Sequence, residues 1–216
     1  MTVVEAAVES LQYAIAAERS GAGRVELCIN LDEGGTTPPV ELTSALAAEI
    51  RIPLFVLVRP RAGDFVYSVE EIETVLEDIE AARDLGVDGI VTGALTAEGR
   101  IAVAETRAFV EAAGGLPVTF HRAFDMVADP SQALEELVDI GVRRVLTSGG
   151  KSTALEGVGV IAKLVEQARD RITIVAGSGI RRNNVREVIE RARVKEVHSR
   201  FIDEPRMHRL VELATR

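Results

Sequence analysis

"VEEIETVLEDIEAARDLGVDGIVTG", residues 69–93, holds two different periodicities back to back. Over 69–86 the apolar side chains Ile72, Leu76, Ile79 and Leu85 fall near one helical face, with acids between them. Gly86 offers the helix stop. The run "GIVTG" (89–93) then follows, short and almost wholly apolar, as a strand buried on both faces would be. A long amphipathic helix feeding such a strand is the repeating half of a parallel α/β sheet.

The same alternation continues in both directions. Apolar runs occur at 3–8 (VVEAAV), 24–29 (RVELCI), 54–59 (LFVLVR), 117–122 (PVTFHR), 144–149 (RVLTSG), 173–179 (TIVAGSG) and 196–199 (EVHS). Helical patterns fill the intervals, "EGVGVIAKLVEQARD" (156–170) being another clear one, and a last helix is expected at about 205–215. No linker or low-complexity segment interrupts the chain. Two layouts compete, an open doubly wound sheet and a closed barrel. No G-x-G-x-x-G follows the first run, so a dinucleotide fold lacks its mark and no nucleotide cofactor is indicated. Eight strand–helix units favour a single (β/α)8 TIM barrel over residues 1–216.

In a barrel, one side of each strand meets the helices and the other fills the interior, with a period of two. On the fifth strand Val118 and Phe120 should face the helices, so Thr119 and His121 point inward. On the second, Val25 and Leu27 face the helices, leaving Arg24, Glu26 and Cys28 inside. Barrel enzymes carry their chemistry at the C-terminal strand ends. There the sequence collects Glu5, Glu26, Arg59, Thr92, His121, Arg122, Asp125, Ser148 and His198.

These residue types suit acid–base chemistry on an anionic molecule. Imidazole titrates near neutrality, so His121 and Glu26 form a candidate proton-transfer pair. Asp125 either orients His121 or caps the turn before "DPSQALEEL". Arg59 and Arg122 are candidate anion holders, and "RPRAGDF", with Arg61 and Asp64, reads as a lid-like loop. Ser148, Gly149 and Gly150, and Gly177, Ser178 and Gly179, form two glycine-rich turns whose amides suit a phosphate or carboxylate. The structural alternatives are an ion pair between Glu26 and Arg59, a core histidine at 121 and a plain loop at 59–65.

The formal net charge of −9 disfavours a nucleic-acid partner. The single cysteine, Cys28, precludes an intrachain disulfide and fits a reducing compartment. The N-terminus lacks a basic region before an apolar one, and no apolar run approaches a membrane span. A cytoplasmic protein with no membrane partner is expected.

The blocks "RVELC", "EGGTTP", "RPRAGDFVYS", "VTGAL", "VTFHRAFD", "RVLTSGG", "AGSGIR" and "EVHS", in this order over 24–199, resemble the CutC family, named for copper homeostasis. The resemblance implies a TIM barrel, a cytoplasmic homodimer or homotetramer, and copper-ion binding. It marks Glu26, Cys28, Arg59, Asp64, His121, Arg122, Asp125, Ser148 and His198 as family positions. Two departures stand out: the first strand has Ala7 and Val8 where members often carry cysteine, and the segment after the eighth strand is short. Cu(I) prefers thiolate and thioether ligands. Cys28 with His121 and Met126 is the soft cluster on offer, with Met207 and Met1 elsewhere.

Overall fold

The computed structural model describes residues 2–215. Eight parallel strands close into a barrel in chain order. They are β1 (Val3–Val8), β2 (Arg24–Leu27), β3 (Leu54–Leu57), β4 (Gly89–Thr92), β5 (Val118–Phe120), β6 (Arg144–Thr147), β7 (Thr173–Ala176) and β8 (Glu196–Arg200). Helices α1 (Leu11–Arg19), α2 (Val40–Glu49), α3 (Val69–Asp84) and α4 (Val103–Ala112) alternate with the first strands. The second half adds α5 (Pro130–Ile140), α6 (Val158–Ala168), α7 (Val185–Ala192) and α8 (Glu204–Thr215). No helix is long and apolar enough to cross a membrane among the described residues.

Local chemistry sets the boundaries. Helix α3 starts in a capping box, in which the Ser68 hydroxyl accepts from the Glu71 amide and the Glu71 carboxylate accepts from the Ser68 amide. It ends at Asp84, two residues before the expected stop, because Leu85 caps it and Gly86 turns the chain at φ +78°. Several strands also stop short of the apolar runs that announced them. β5 ends at Phe120, and His121 caps a 3₁₀ turn over Arg122–Met126 by accepting from the Ala123 amide. Some of the residues shed from the ladder at the C-terminal ends, Arg59, His121 and Ser178 among them, line the mouth of the barrel.

The expected inside–outside alternation holds. Val25, Leu27, Val118 and Phe120 belong to the large core between strands and helices. Inside the barrel the apolar part is small: Cys28, Phe55, Leu57 and Val91. The Phe55 ring fits because β4 begins with glycine, since a Cβ at Gly89 would lie 2.4 Å from the ring. Much of the rest of the interior is polar and charged, with Glu5, Arg24, Glu26, Thr119 and His121 all buried. Closing the barrel pairs Glu5 of β1 with His198 of β8 and with Arg24 of β2, while Ala7 pairs with Glu26. Strand register thus brings together side chains that are up to 193 residues apart.

Candidate active site

A cavity of about 1240 Å³ opens at the C-terminal mouth. Glu26, His121, His198, Arg59, Arg122 and Asp125 line it, as expected for strand-end residues. Their relations to one another differ from the sequence expectations.

The imidazole that stands beside Glu26 is His198, not His121. His198 Nδ1 lies 2.7 Å from Glu5 Oε1 and 3.7 Å from Glu26 Oε2. Glu5 is in turn paired with Arg24, which also pairs with Glu196, and Arg144 Nε reaches Glu196 at 3.3 Å. Burial by itself would raise the Glu5 carboxyl, but the hydrogen bond with His198 and the charge of Arg24 hold it down at about 2. Glu26 has no such partner. Burial pushes its carboxyl up to about 7, with the Glu5 charge adding and His198 opposing. Burial opposes charge on His198, yet Glu26 and Glu5 together raise its pKa. Glu26 Oε2 is buried with no hydrogen-bond partner among the described residues. A buried polar atom in that state is open to a partner from solvent or a ligand.

His121 plays another part. Burial, aided by the Arg59 charge, lowers its pKa to about 3, so it stays neutral. Nδ1 accepts from the Ala123 amide at 3.3 Å, which puts the ring proton on Nε2. Nε2 is buried and has no partner among the described residues. The ring packs on Phe65, with centroids 4.8 Å apart. The close approach of β4 depends on Gly93, where a Cβ would sit 3.0 Å from His121 Nδ1. His121 therefore presents a fixed N–H donor rather than a base.

Asp125 neither orients His121 nor caps α5. Asp129 caps α5, accepting from the Ser131 and Gln132 amides. The Asp125 carboxylate instead turns to the β6 loop. It accepts from the Ser148 amide at 2.9 Å, the Gly150 amide at 3.0 Å and the Thr147 hydroxyl at 2.5 Å, and it pairs with Arg122 at 2.9 Å. The Gly149 amide donates to the Thr147 hydroxyl. The turn at Ser148, Gly149 and Gly150, expected to receive an external anion, is thus filled by an internal one. Arg122 is committed to the same carboxylate.

Arg59 makes no ion pair with Glu26. Its guanidinium donates to the carbonyls of Gly35 at 2.9 Å and Gly63 at 2.8 Å, and stacks over Phe65. It ties the loop after β2 to the loop after β3. Asp64 is exposed and pairs with Arg61, which also holds Glu71. Asp64 belongs to the clamp on that loop and does not line the cavity.

The soft-metal expectation fares no better. The Cys28 thiol is fully buried beside Phe55, Leu57 and Val91, and its Sγ lies 3.8 Å from the Val8 carbonyl. Burial, then the charges of Glu26 and Glu9, push its pKa up, away from thiolate. Met126 is 67% exposed, Met207 is packed in the core, and Met1 lies outside the described residues. Cys28 is sealed in the barrel interior and does not line the cavity that His121 and Met126 line. Among the described residues, the one group of three or more His, Cys, Asp or Glu side chains with converging ligand atoms is Glu5, Glu26 and His198, all within 4.8 Å. Its oxygen and nitrogen donors do not suit Cu(I), and the Arg24 guanidinium already occupies Glu5.

Sequence reasoning underrated Glu5 and passed over Arg24 and Glu196 as site-supporting residues. The available signal was charge at inward-facing positions of β1, β2 and β8, where barrels are usually filled by apolar layers.

A family model described as the CutC family matches residues 2–203. A protein named copper homeostasis protein cutC homolog from Mus musculus is 47% identical over 91% of this chain and 72% of its own length. The Homo sapiens protein of that name matches equally well. The crystal structure of CutC from Streptococcus agalactiae superposes with a TM-score of 0.87 at 34% identity, covering 92% of this chain and 98% of that one. A phosphoribosylanthranilate isomerase from Thermotoga maritima shares the fold alone, with a TM-score of 0.65 at 14% identity.

Proposed function

Because this chain belongs to the CutC family, and because the residues at its barrel mouth suit proton transfer better than Cu(I) ligation, we propose that it is a cytoplasmic acid–base enzyme acting on a small anionic, sugar-like or carboxylated molecule. The observation that carries the reading is the Glu26–His198–Glu5 arrangement. A buried carboxyl with a free oxygen stands 3.7 Å from an imidazole that a second carboxylate holds. Glu26, poised near neutrality, accepts a proton from a substrate C–H or O–H. His198, whose pKa is raised by Glu26 and Glu5, supplies a proton to the oxygen where negative charge develops. The His121 Nε2–H donates a hydrogen bond to a substrate oxygen and holds it in register. The chemistry is isomerisation, elimination or hydrolysis, none of which needs a redox cofactor. A homodimer or homotetramer is the assembly expected.

The test is proton exchange. Three- to six-carbon hydroxy-aldehydes, hydroxy-ketones and their phosphates are incubated with the protein in D2O and followed by NMR. Exchange of a C–H next to the carbonyl in at least one compound is expected, falling about 100-fold or more in Glu26→Gln. No exchange above the solvent rate across the set, or exchange untouched in Glu26→Gln, overturns the reading.

A second reading comes from the names of the relatives, which attach copper homeostasis to the family. The convergence of Glu5, Glu26 and His198 favours it, with Cu(II) rather than Cu(I) as the ion. Chelator competition decides between the two. The enzyme reading expects no tight stoichiometric site for either oxidation state and no effect of Cys28→Ser. Tight copper binding lost in Glu26→Gln would install the copper reading instead.

A further inference from the structure

The mouth is rich in arginine although the chain is acidic: Arg59, Arg122, Arg181, Arg182, Arg200 and Arg206 all line the cavity. Four of them are spent. Arg59 clamps two loops, Arg122 holds Asp125, Arg200 holds Glu9 and Asp32, and Arg206 holds Asp203. Arg181 and Arg182 have no side-chain partner among the described residues. They follow directly on the turn after β7. In that turn Gly177 donates its amide to the Thr147 carbonyl, as a ladder bond. The Ser178 side chain goes to the Ser152 carbonyl, and the Ser178 carbonyl accepts from Ala154. The amides of Ser178 and Gly179 donate to no group among the described residues, and both residues line the cavity. Across the same cavity stand three orphaned polar atoms, Glu26 Oε2, His121 Nε2 and Arg59 Nε, on side chains that are more than nine-tenths buried.

Resting on the acid–base reading above, we propose that the turn after β7 is a subsite for the phosphate end of a small phosphomonoester. The Ser178 and Gly179 amides and the Arg181 and Arg182 guanidiniums receive the phosphate oxygens. The hydroxyl or carbonyl end of the same molecule reaches Glu26, His198 and His121. Two amides and two guanidiniums offer more donors than a carboxylate with two oxygens can use, whereas a phosphomonoester has three terminal oxygens and nearly two charges. The neighbouring turn after β6 has the same glycine-rich look, but its amides are saturated by Asp125 and Thr147. One turn is closed by an internal carboxylate and the other is left open.

Inorganic phosphate, glycerol 3-phosphate and glycerol are titrated into the full chain while backbone amides are followed by 1H–15N NMR. Saturable shifts at Ser178 and Gly179 are expected with both phosphates and not with glycerol, while Ser148 and Gly150 stay in place. The double variant Arg181→Gln/Arg182→Gln should bind inorganic phosphate at least about tenfold more weakly with its circular dichroism unchanged. Absence of saturable shifts, shifts centred on 148–150, or unaltered binding in the double variant overturns the subsite. Glu26→Gln keeps phosphate binding if the subsite is real. Phosphate binding without any proton exchange therefore sinks the acid–base reading and leaves the subsite standing. Exchange without phosphate binding at this turn sinks the subsite alone.

Discussion

Glu26 and Glu5 are carboxylates of the same barrel interior, yet their surroundings drive them in opposite directions. Glu5 has His198 and Arg24, and stays ionised far into acid. Glu26 has neither as a hydrogen-bond partner, and burial carries it to about 7. The consequence for stability has a definite sign. In the unfolded chain Glu26 loses its proton at the ordinary value of 4.5, while the folded protein keeps it to about 7. Rising pH across that window favours the unfolded chain and lowers stability. Glu26→Gln does not titrate. It should match the wild type near pH 4 and exceed it by about 3 kcal/mol at pH 8, as measured by urea denaturation at the two pH values. A difference that is the same at both would show that Glu26 is not a buried, neutral-leaning acid. His121 has the opposite dependence. Its folded pKa of about 3 lies below the unfolded value of 6.5, so its contribution is complete above 6.5 and is lost as pH falls towards 3.

At the scale of elements, the site depends on loops held by buried polar groups rather than by apolar packing. Arg59 reaches the carbonyls of Gly35 and Gly63 with the two arms of one guanidinium, and the Thr37 hydroxyl closes the same corner by donating to the Arg59 carbonyl. Lysine keeps the charge but has no fork. Arg59→Lys should cost about 2–3 kcal/mol, from carbonyls left without donors. It should also speed amide hydrogen exchange at residues 30–37 and 60–67. Unchanged exchange there would mean that the loops stand without the clamp. Asp125 does the corresponding work on the other side by joining the 3₁₀ turn after β5 to the turn after β6.

Across the whole molecule, a line of alternating charge runs through the barrel: Arg144, Glu196, Arg24, Glu5, His198. Both guanidiniums lie 4.8 Å from the centre of the Phe55 ring. Apolar layers would make a more stable interior, so this line costs stability that the large core outside the strands supplies. Its effect is to keep Glu5 charged, and Glu5 together with Glu26 raises the pKa of His198 against the effect of burial. Glu196→Gln leaves two buried guanidiniums with a single carboxylate between them. A loss of about 3–5 kcal/mol is expected in thermal or urea denaturation, the range found when one partner of a buried ion pair is removed. A loss under about 1 kcal/mol would mean that water or rearrangement neutralises the arginines, and the line would not act as a unit.

The barrel was legible in the sequence because its causes are local and repeated. Helical and strand periods alternate eight times, and the period of two on β2 and β5 placed Glu26 and His121 inside before any tertiary contact was known. Part of the lining was legible for the same reason: Glu26, Arg59, His121 and His198 stand at strand ends that can be read one by one, whereas Glu5 and Ser148, read the same way, do not line the cavity. Who pairs with whom was not. Glu5 meets His198 only because β8 closes on β1, and that register depends on how far each strand is staggered around the barrel. Asp125 turns to Ser148 rather than His121 because β5 ends early in a 3₁₀ turn that swings its carboxylate towards β6. Arg59 and Arg122 looked like free cations in the sequence, and became clamps once the chain supplied carbonyls and a carboxylate within reach. Burial and pairing set the pKa shifts of Glu5, Glu26, His121 and His198. Both are properties of closure, and no stretch of chain carries them alone.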